Sequence, residues 1–414
     1  EKKAWPATPW CYCIAMLEPG STEASSQTNR VKDSRLKGRG GDEQPAAGLG
    51  NEAKSPQDIH QGSFAHLDTL YYANQRPELG AALKQDCTDF RVDEELGFAT
   101  SGSGEHLFIR IRKTDVSTTE VARRLAAIAG TRLGGIGYCG MKDKRAVCSQ
   151  WFSIPLAIAD EKLLGKLEDP AVEILETQRN NRKLKTGSHK ANHFEILLRD
   201  CRGSQSLFDD SLDLLRTGGV PNYFGPQRFG RDLSNLSQAR QLFETSRRSS
   251  AKGPGRHRRS MLFSAVRAYL FNQVLSLRLQ QGNWNHYVDG DVVNLDRTNR
   301  YFLVGLGGWD ESLQQRLTDF DIHLSGPLPG AMDAKDKYLS RGKTADIEEA
   351  VLSQYPALLD GLMHFGLKAA RRPLRFRPDD LRGSWLEPAS LQLQFTLPPG
   401  AYATSLLREL CTTG

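Results

Sequence analysis

From His106 onward the chain keeps switching between two hydrophobic periods, and any fold it adopts has to satisfy both. Leu107, Ile109 and Ile111 alternate with Phe108, Arg110 and Arg112, which predicts a strand with one buried face. Ser117 and Glu120 make a capping box, Val121, Leu125 and Ile128 recur at helical spacing, and Gly130 supplies a left-handed stop. Two short strands then flank the loop Gly140-Met141-Lys142-Asp143, the second passing through Val147 and Trp151 to Pro155. Phe194, Ile196 and Leu198 predict a further strand, followed by a helix through Leu207, Leu214 and Leu215 that ends at Gly218-Gly219. A long helix over 260–279 carries Leu262, Val266, Tyr269, Leu270, Val274 and Leu277 on one face and ends at Gly282. Leu391, Leu393, Phe395 and Leu397 alternate again, and Pro398-Pro399-Gly400 turns the chain into a final short helix. Strands and helices interleaved in this way predict a mixed α+β architecture.

Residues 1–60 are rich in Gly, Ser, Ala and Gln with mixed charge and show neither period, so they read as a disordered extension. With 414 residues the chain exceeds one core, and two folded units plus a tail are expected. The texture changes after the basic run at 247–259 and stays changed to Arg377, which marks an inserted domain.

No stretch approaches the roughly 18 apolar residues that cross a bilayer, and the expected location is the cytoplasm. Seven cysteines are scattered without paired CxxC motifs, which fits reduced thiols and predicts no metal. Nucleotide chemistry is excluded by spacing. Gly342-Lys343-Thr344 ends like a phosphate loop, but the glycine needed five residues earlier is Lys337, and Gly305-Leu306-Gly307-Gly308 meets Asp310 where a third glycine belongs.

A net charge of +6 permits a polyanionic partner. Arg247, Arg248, Lys252, Arg256, Arg258 and Arg259 form a run without acids, and Arg179, Arg182, Lys183, Lys185 and Lys190 form a second. Both suit a phosphate backbone, and both also suit solvated loops. Asp143 sits on a glycine-entered loop among Lys142, Lys144 and Arg145. Such an Asp stays ionised and is equipped to attack an anomeric carbon or remove a sugar proton; a surface turn with salt bridges has the same residues. The segment from Val220 to Gly230, with Asn222, Tyr223, Phe224, Gln227, Arg228 and Phe229, offers aromatic faces and amides to an extruded base, or plugs a domain junction.

These two clusters, with Arg182-Lys183-Leu184-Lys185-Thr186-Gly187 and Gly400-Ala401-Tyr402-Ala403-Thr404, run in the order found in the TruD family of pseudouridine synthases, which the chain resembles from about Leu83 to its end. The resemblance implies a pseudouridine-synthase catalytic domain with a mixed, mainly antiparallel sheet, over 61–247 and 377–414, interrupted by an inserted α/β TRUD domain over 248–376. It implies Asp143 as the catalytic residue. It implies Phe90, Asn222, Phe224 and Tyr402, with Lys142 and Arg228, as the substrate contacts, and Arg182, Lys183, Lys185, Arg256, Arg258 and Arg259 along the RNA backbone. The implied partner is tRNA, modified at uridine 13 of the D arm by a monomer with no cofactor, no nucleotide cofactor and no membrane. One departure stands out: His189-Lys190-Ala191-Asn192 replaces a more usual Leu-Lys-Gly-Asn.

Pseudouridine formation breaks the N-glycosidic bond, turns the uracil and rejoins it through carbon, so a carboxylate beside the anomeric carbon lowers the barrier. Two rivals remain at this point: a non-catalytic tRNA chaperone using the same basic cleft, which needs no Asp143, and an RNA methyltransferase, which needs a glycine-rich donor site that the sequence lacks.

Overall fold

The structure, a computed structural model, describes Phe64 and residues 67–413, apart from 168, 249–253, 333–338 and 388. The extension expected over 1–60 lies outside the described residues, as does Lys252. All described residues belong to the unit Ser55–Gly414.

The chain forms β1 (Gly80–Leu83), β2 (Phe90–Leu96), β3 (His106–Thr114), α1 (Thr118–Ile128), β4 (Gly137–Tyr138), β5 (Val147–Pro155), β6 (Val172–Asn180) and β7 (His189–Arg202). It continues through α2 (Gln205–Gly218), β8 (Val220–Pro221), α3 (Ser234–Arg248), α4 (Arg256–Gln280), β9 (Val292–Leu295), β10 (Tyr301–Leu303), α5 (Glu311–Thr318) and β11 (Ile322–Leu328). After α6 (Gly342–Leu352), α7 (Pro356–His364), β12 (Ala370–Pro373) and β13 (Arg375–Phe376), the chain closes with β14 (Asp379–Glu387), β15 (Ser390–Leu397), α8 (Ala403–Leu410) and β16 (Thr412–Thr413).

Ten strands make one sheet whose main path is β14-β15-β7-β2-β5-β3-β6. Its pairings are antiparallel except β2 with β5 and β1 with β16. β15 lies on β7 with Phe395 opposite Phe194, so the last strands complete a sheet begun three hundred residues earlier. A second, antiparallel sheet has the order β10-β9-β11-β12, and α4 packs against it.

Each core has a local cause. Ser117 Oγ accepts from Glu120 N at the start of α1, and the helix buries Val121 and Leu125 against Leu107, Ile109 and Ile111. The other face of β3 is covered in part: Phe108 packs with Trp151 and Leu184. The single buried face expected for this strand is therefore corrected, because the loop that carries Leu184 folds over the side expected to meet water. β7, β15, α2 and α8 close a second core around Ile196, Leu393 and Leu406, and Gly219, at φ 84, ends α2. α4 is buried on most sides, against Leu236 and Phe243 of α3, Leu358 and Leu362 of α7, and Val293 and Leu324 of the second sheet.

The parallel register of β2 and β5 sets Arg91 beside Val147. That places the turn before β2 next to the loop before β5, and the candidate site forms there.

Candidate active site

Strand β4, which leads into the loop before β5, starts where only glycine fits: a Cβ on Gly137 would stand 2.4 Å from both Leu184 O and Ser153 Oγ. Beyond it the loop is tied by buried polar side chains from three elements. Gln150 Nε2 donates to Gly140 O at 3.2 Å, Lys142 N donates to Thr118 Oγ1 at 3.0 Å, and Lys113 Nζ donates to Asp143 O at 2.6 Å. Thr118 passes its own proton to Gln150 Oε1 at 2.8 Å, so the ties are linked. Below them Lys142 forms a buried ion pair with Glu94, whose second oxygen accepts Trp151 N at 3.0 Å.

The Asp143 carboxylate projects from this frame and remains 29% exposed. Lys84 Nζ meets one oxygen at 2.7 Å and Gln227 Nε2 meets the other at 3.1 Å. Burial raises its pKa, but Lys84, Gln227 and Lys113 together outweigh burial and hold the carboxyl below its ordinary value. The group is ionised at neutral pH. The cations that achieve this are not its sequence neighbours: Lys142 is committed to Glu94, Arg145 donates to Gln85 O, and Lys144 is exposed. The expected ring of Lys142, Lys144 and Arg145 is thus corrected to Lys84 and Lys113, because a neighbour on an extended loop points away from the side chain beside it. Lys84 holds its position at φ 59, a left-handed conformation uncommon outside glycine, with its ammonium 3.9 Å from the ring centre of Phe90. Phe90 itself is buried, edge-on to Phe194.

Three residues before Gln227, which reaches the carboxylate, stands the aromatic ring of Phe224. The buried amide of Asn272 clamps the Phe224 backbone, accepting from Phe224 N at 2.9 Å and donating to Phe224 O at 3.0 Å. The Phe224 ring has the Arg372 guanidinium 4.1 Å from its centre and the Tyr402 ring 6.0 Å away. Arg228 bridges Tyr402 Oη at 2.8 Å and Ser264 Oγ at 3.1 Å, so the Tyr402 hydroxyl has a structural partner. Asn222 is buried; its Nδ2 donates to Pro373 O at 2.9 Å and its Oδ1 accepts from Arg372. The amide that reaches Asp143 is Gln227.

The basic residues divide. Arg182 and Lys185 are exposed before β7, whereas Lys183 donates to Gly134 O and Arg179 is tied to Glu161. Arg256 is exposed at the start of α4, Arg258 bonds Gln238 of α3, and Arg259 is half-buried. A cavity of about 790 Å³ runs past Lys190, Asn222, Thr298, Arg372, Arg377 and Gly400, a polar trough between the two sheets. Glu94, Cys139 and His189 offer ligand atoms within 4.8 Å of one another. The Lys142 ammonium already compensates Glu94 there, and burial pushes the Cys139 thiol up to about 12, so the group holds a thiol and an ammonium where a metal would need a thiolate. Among the described residues no helix is long and apolar enough to cross a membrane.

The family model of tRNA pseudouridine synthase D (TruD) matches residues 66–238 and 244–410. The chain belongs to the TruD family. It is 43% identical to tRNA pseudouridine synthase D of Nitrosococcus oceani over 353 residues, which cover 84% of this chain and 95% of that protein. It is 38% identical to the Hydrogenovibrio crunogenus protein of the same name, covering 83% and 96% of the two chains. The crystal structure of a TruD protein from Methanosarcina mazei superposes with a TM-score of 0.62 at 22% identity, covering 82% of this chain and 95% of that one, and so shares the fold.

Within this TruD fold the structure brings Asp143, Phe90, Phe224, Arg228 and Tyr402 to one region and leaves Lys142 beneath it. Lys84, Lys113, Asn272 and Arg372 are the site residues that sequence reasoning missed, and for Gln227 it missed the bond to Asp143. Gln227 lay inside the aromatic-amide segment already singled out, and Lys84 lies six residues before Phe90. The other three had no signal in their local pattern.

Proposed function

We propose that this chain isomerises uridine to pseudouridine in tRNA, at position 13 of the D arm, with Asp143 as the catalytic residue. The observation that carries the reading is an ionised carboxylate, held by Lys84 and Gln227, on a loop whose backbone is fixed by Lys113, Thr118 and Gln150. A carboxylate so held needs no reorganisation as positive charge develops at the anomeric carbon. Phe224 offers the uracil a stacking platform on the ring face that the Arg372 guanidinium, 4.1 Å from its centre, leaves open, and Arg228 borders the ring. Family membership over most of the chain supports the same activity.

The reaction is an isomerisation, with no net oxidation and no second substrate. A chaperone would bind tRNA with the same cations but would gain nothing from an immobilised carboxylate. The division into catalytic segments 61–247 and 377–414 around an insertion over 248–376 is supported by the pairing of β15 with β7 and by the separate sheet of β9 to β12. Action as a monomer in the cytoplasm belongs to the same reading; size-exclusion chromatography at working concentration checks the first and fractionation the second.

The experiment is to incubate purified protein with unmodified tRNA transcript and buffer alone, then map pseudouridine by mass spectrometry. Conversion at uridine 13 is expected. Binding without conversion would favour the chaperone, and conversion elsewhere would move the target.

A further inference from the structure

Helix α4 sets Arg256, Arg259, Ser260, Phe263, Ser264 and Arg267 three or four residues apart, on one stripe, and that stripe lines a cavity of about 540 Å³. Phe365 and Leu367 line it from beyond α7, and Phe224 lines it too. Its volume lies in the range of small-ligand pockets, about 300–1,000 Å³.

Among the described residues three guanidinium groups border this cavity and no carboxylate does. Arg267 is half-buried; its Nη2 donates to Leu328 O at 2.9 Å, and its Nε is buried with no partner. Burial alone pulls its pKa below the ordinary value. The first turn of α4 adds positive potential, since Gly255 supplies no side-chain cap and no acid stands among the first residues. Burying the Arg267 cation without a counter-charge is unfavourable, so a cavity that adds Arg256 and Arg259 to it suits an anionic ligand. Phe365, half-buried and packed 4.8 Å from the buried Phe263, adds an aromatic group to the lining. A phosphate beside a flat ring system is a nucleotide.

We propose that this cavity holds a second, unstacked nucleotide of the same RNA strand, next to the target uridine, with its phosphate at Arg256 and Arg259 and its base edge at Arg267. Phe224, one face of which carries the Arg372 guanidinium at 4.1 Å, then lines the second nucleotide's cavity as well as the target site. The inference rests on the tRNA reading above and adds a determinant of which uridines are accepted: a strand that cannot unstack at the neighbouring position is rejected.

The test uses the full chain and a set of D-arm RNAs in which one nucleotide at a time beside the target uridine is replaced by an abasic ribose. For the wild type, kcat/KM should fall about ten- to hundredfold at one flanking position and little elsewhere, the scale of one lost base contact. Arg267→Met keeps the apolar stem and removes the charge. It should raise KM about tenfold on intact RNA, leave kcat near wild type, and lose nothing more at the sensitive position. Ser260→Trp, at an exposed site on the stripe, should give the same pattern by filling the cavity, and it stands in if Arg267→Met fails to fold. A flat abasic scan, or an added loss in the variants at that position, overturns the proposal. Protection of the wild type against thermal unfolding by millimolar inorganic phosphate, together with a flat scan, would reassign the cavity to a free anion. Absence of turnover on the unsubstituted RNA would break the functional reading itself, whereas turnover with a flat scan breaks only this inference.

Discussion

The loop that carries Asp143 and the stripe of α4 that lines the cavity of about 540 Å³ are built on opposite rules. In the loop, Lys142 is compensated by Glu94, Asp143 by Lys84, and the carbonyls of Gly140 and Asp143 each have a buried donor. On the stripe Arg256, Arg259 and Arg267 border open space with no acid among them. A group that must act on a bond is worth fixing in advance, because misplacement costs rate directly. A group that must capture a polyanion is worth leaving uncompensated, because the ligand supplies the counter-charge. On the proposed reading the difference separates chemistry from capture, and variants can be chosen to break either side alone.

The largest effect is expected from Asp143→Asn, which removes the charge and keeps the shape. Pseudouridine formation should fall below detection while the melting temperature stays within a few degrees of wild type. Turnover within tenfold of wild type would remove Asp143 from the chemistry. Next comes the anchor beneath it: Lys142→Met leaves Glu94 as an unpaired buried charge and should cost about 3–5 kcal/mol in denaturant unfolding. Adding Glu94→Gln to that variant should recover part of the loss, and a single variant as stable as wild type would show that the pair anchors nothing.

Phe224→Ala should slow turnover about ten- to hundredfold, since base–aromatic stacking is worth roughly 1–3 kcal/mol, while Phe224→Tyr keeps the ring and retains more. A variant that melts far lower yet turns over normally when folded would place Phe224 in the core alone. Charge reversal at Arg256 and Arg259 should weaken tRNA binding about tenfold and flatten its salt dependence, as fewer counterions are released. An unchanged slope would take the stripe off the RNA path. The smallest change at neutral pH is that of Lys84→Met. The Asp143 pKa now lies below its ordinary 3.8, and without Lys84 the burial contribution is less opposed, so the pKa rises. Activity of the variant should fall away at a higher pH than wild type as the solution is acidified, and superimposable acid limbs in kcat would contradict the assignment.

Much of the fold was legible because strands and helices wrote their period locally. β3, α1 with its Ser117 cap, the end of α2 at Gly219 and β15 follow from spacings within one segment. β2 escaped because Glu94, a buried acid, stands where a buried strand would carry an apolar residue, and its cause is Lys142 on another loop. β9 and β10 escaped because four and three residues are too few to show a period. Asp143 stood out by motif and resemblance, yet its partners did not, since Lys84 is 59 residues away and Gln227 is 84. Contacts over such separations are made by strand register, as when Arg91 meets Val147, and they leave no trace in local pattern.

Single-turnover pseudouridine formation, followed over a range of enzyme concentrations on one tRNA transcript, separates the rate at saturation from the dissociation constant. Asp143→Asn should bind within about threefold of wild type and show no rate at saturation. The reversal at Arg256 and Arg259 should need about tenfold more protein and then approach the wild-type rate. If Asp143→Asn instead loses affinity and recovers its rate when saturated, the carboxylate belongs to binding, and the division between a catalytic loop and a capturing helix is wrong.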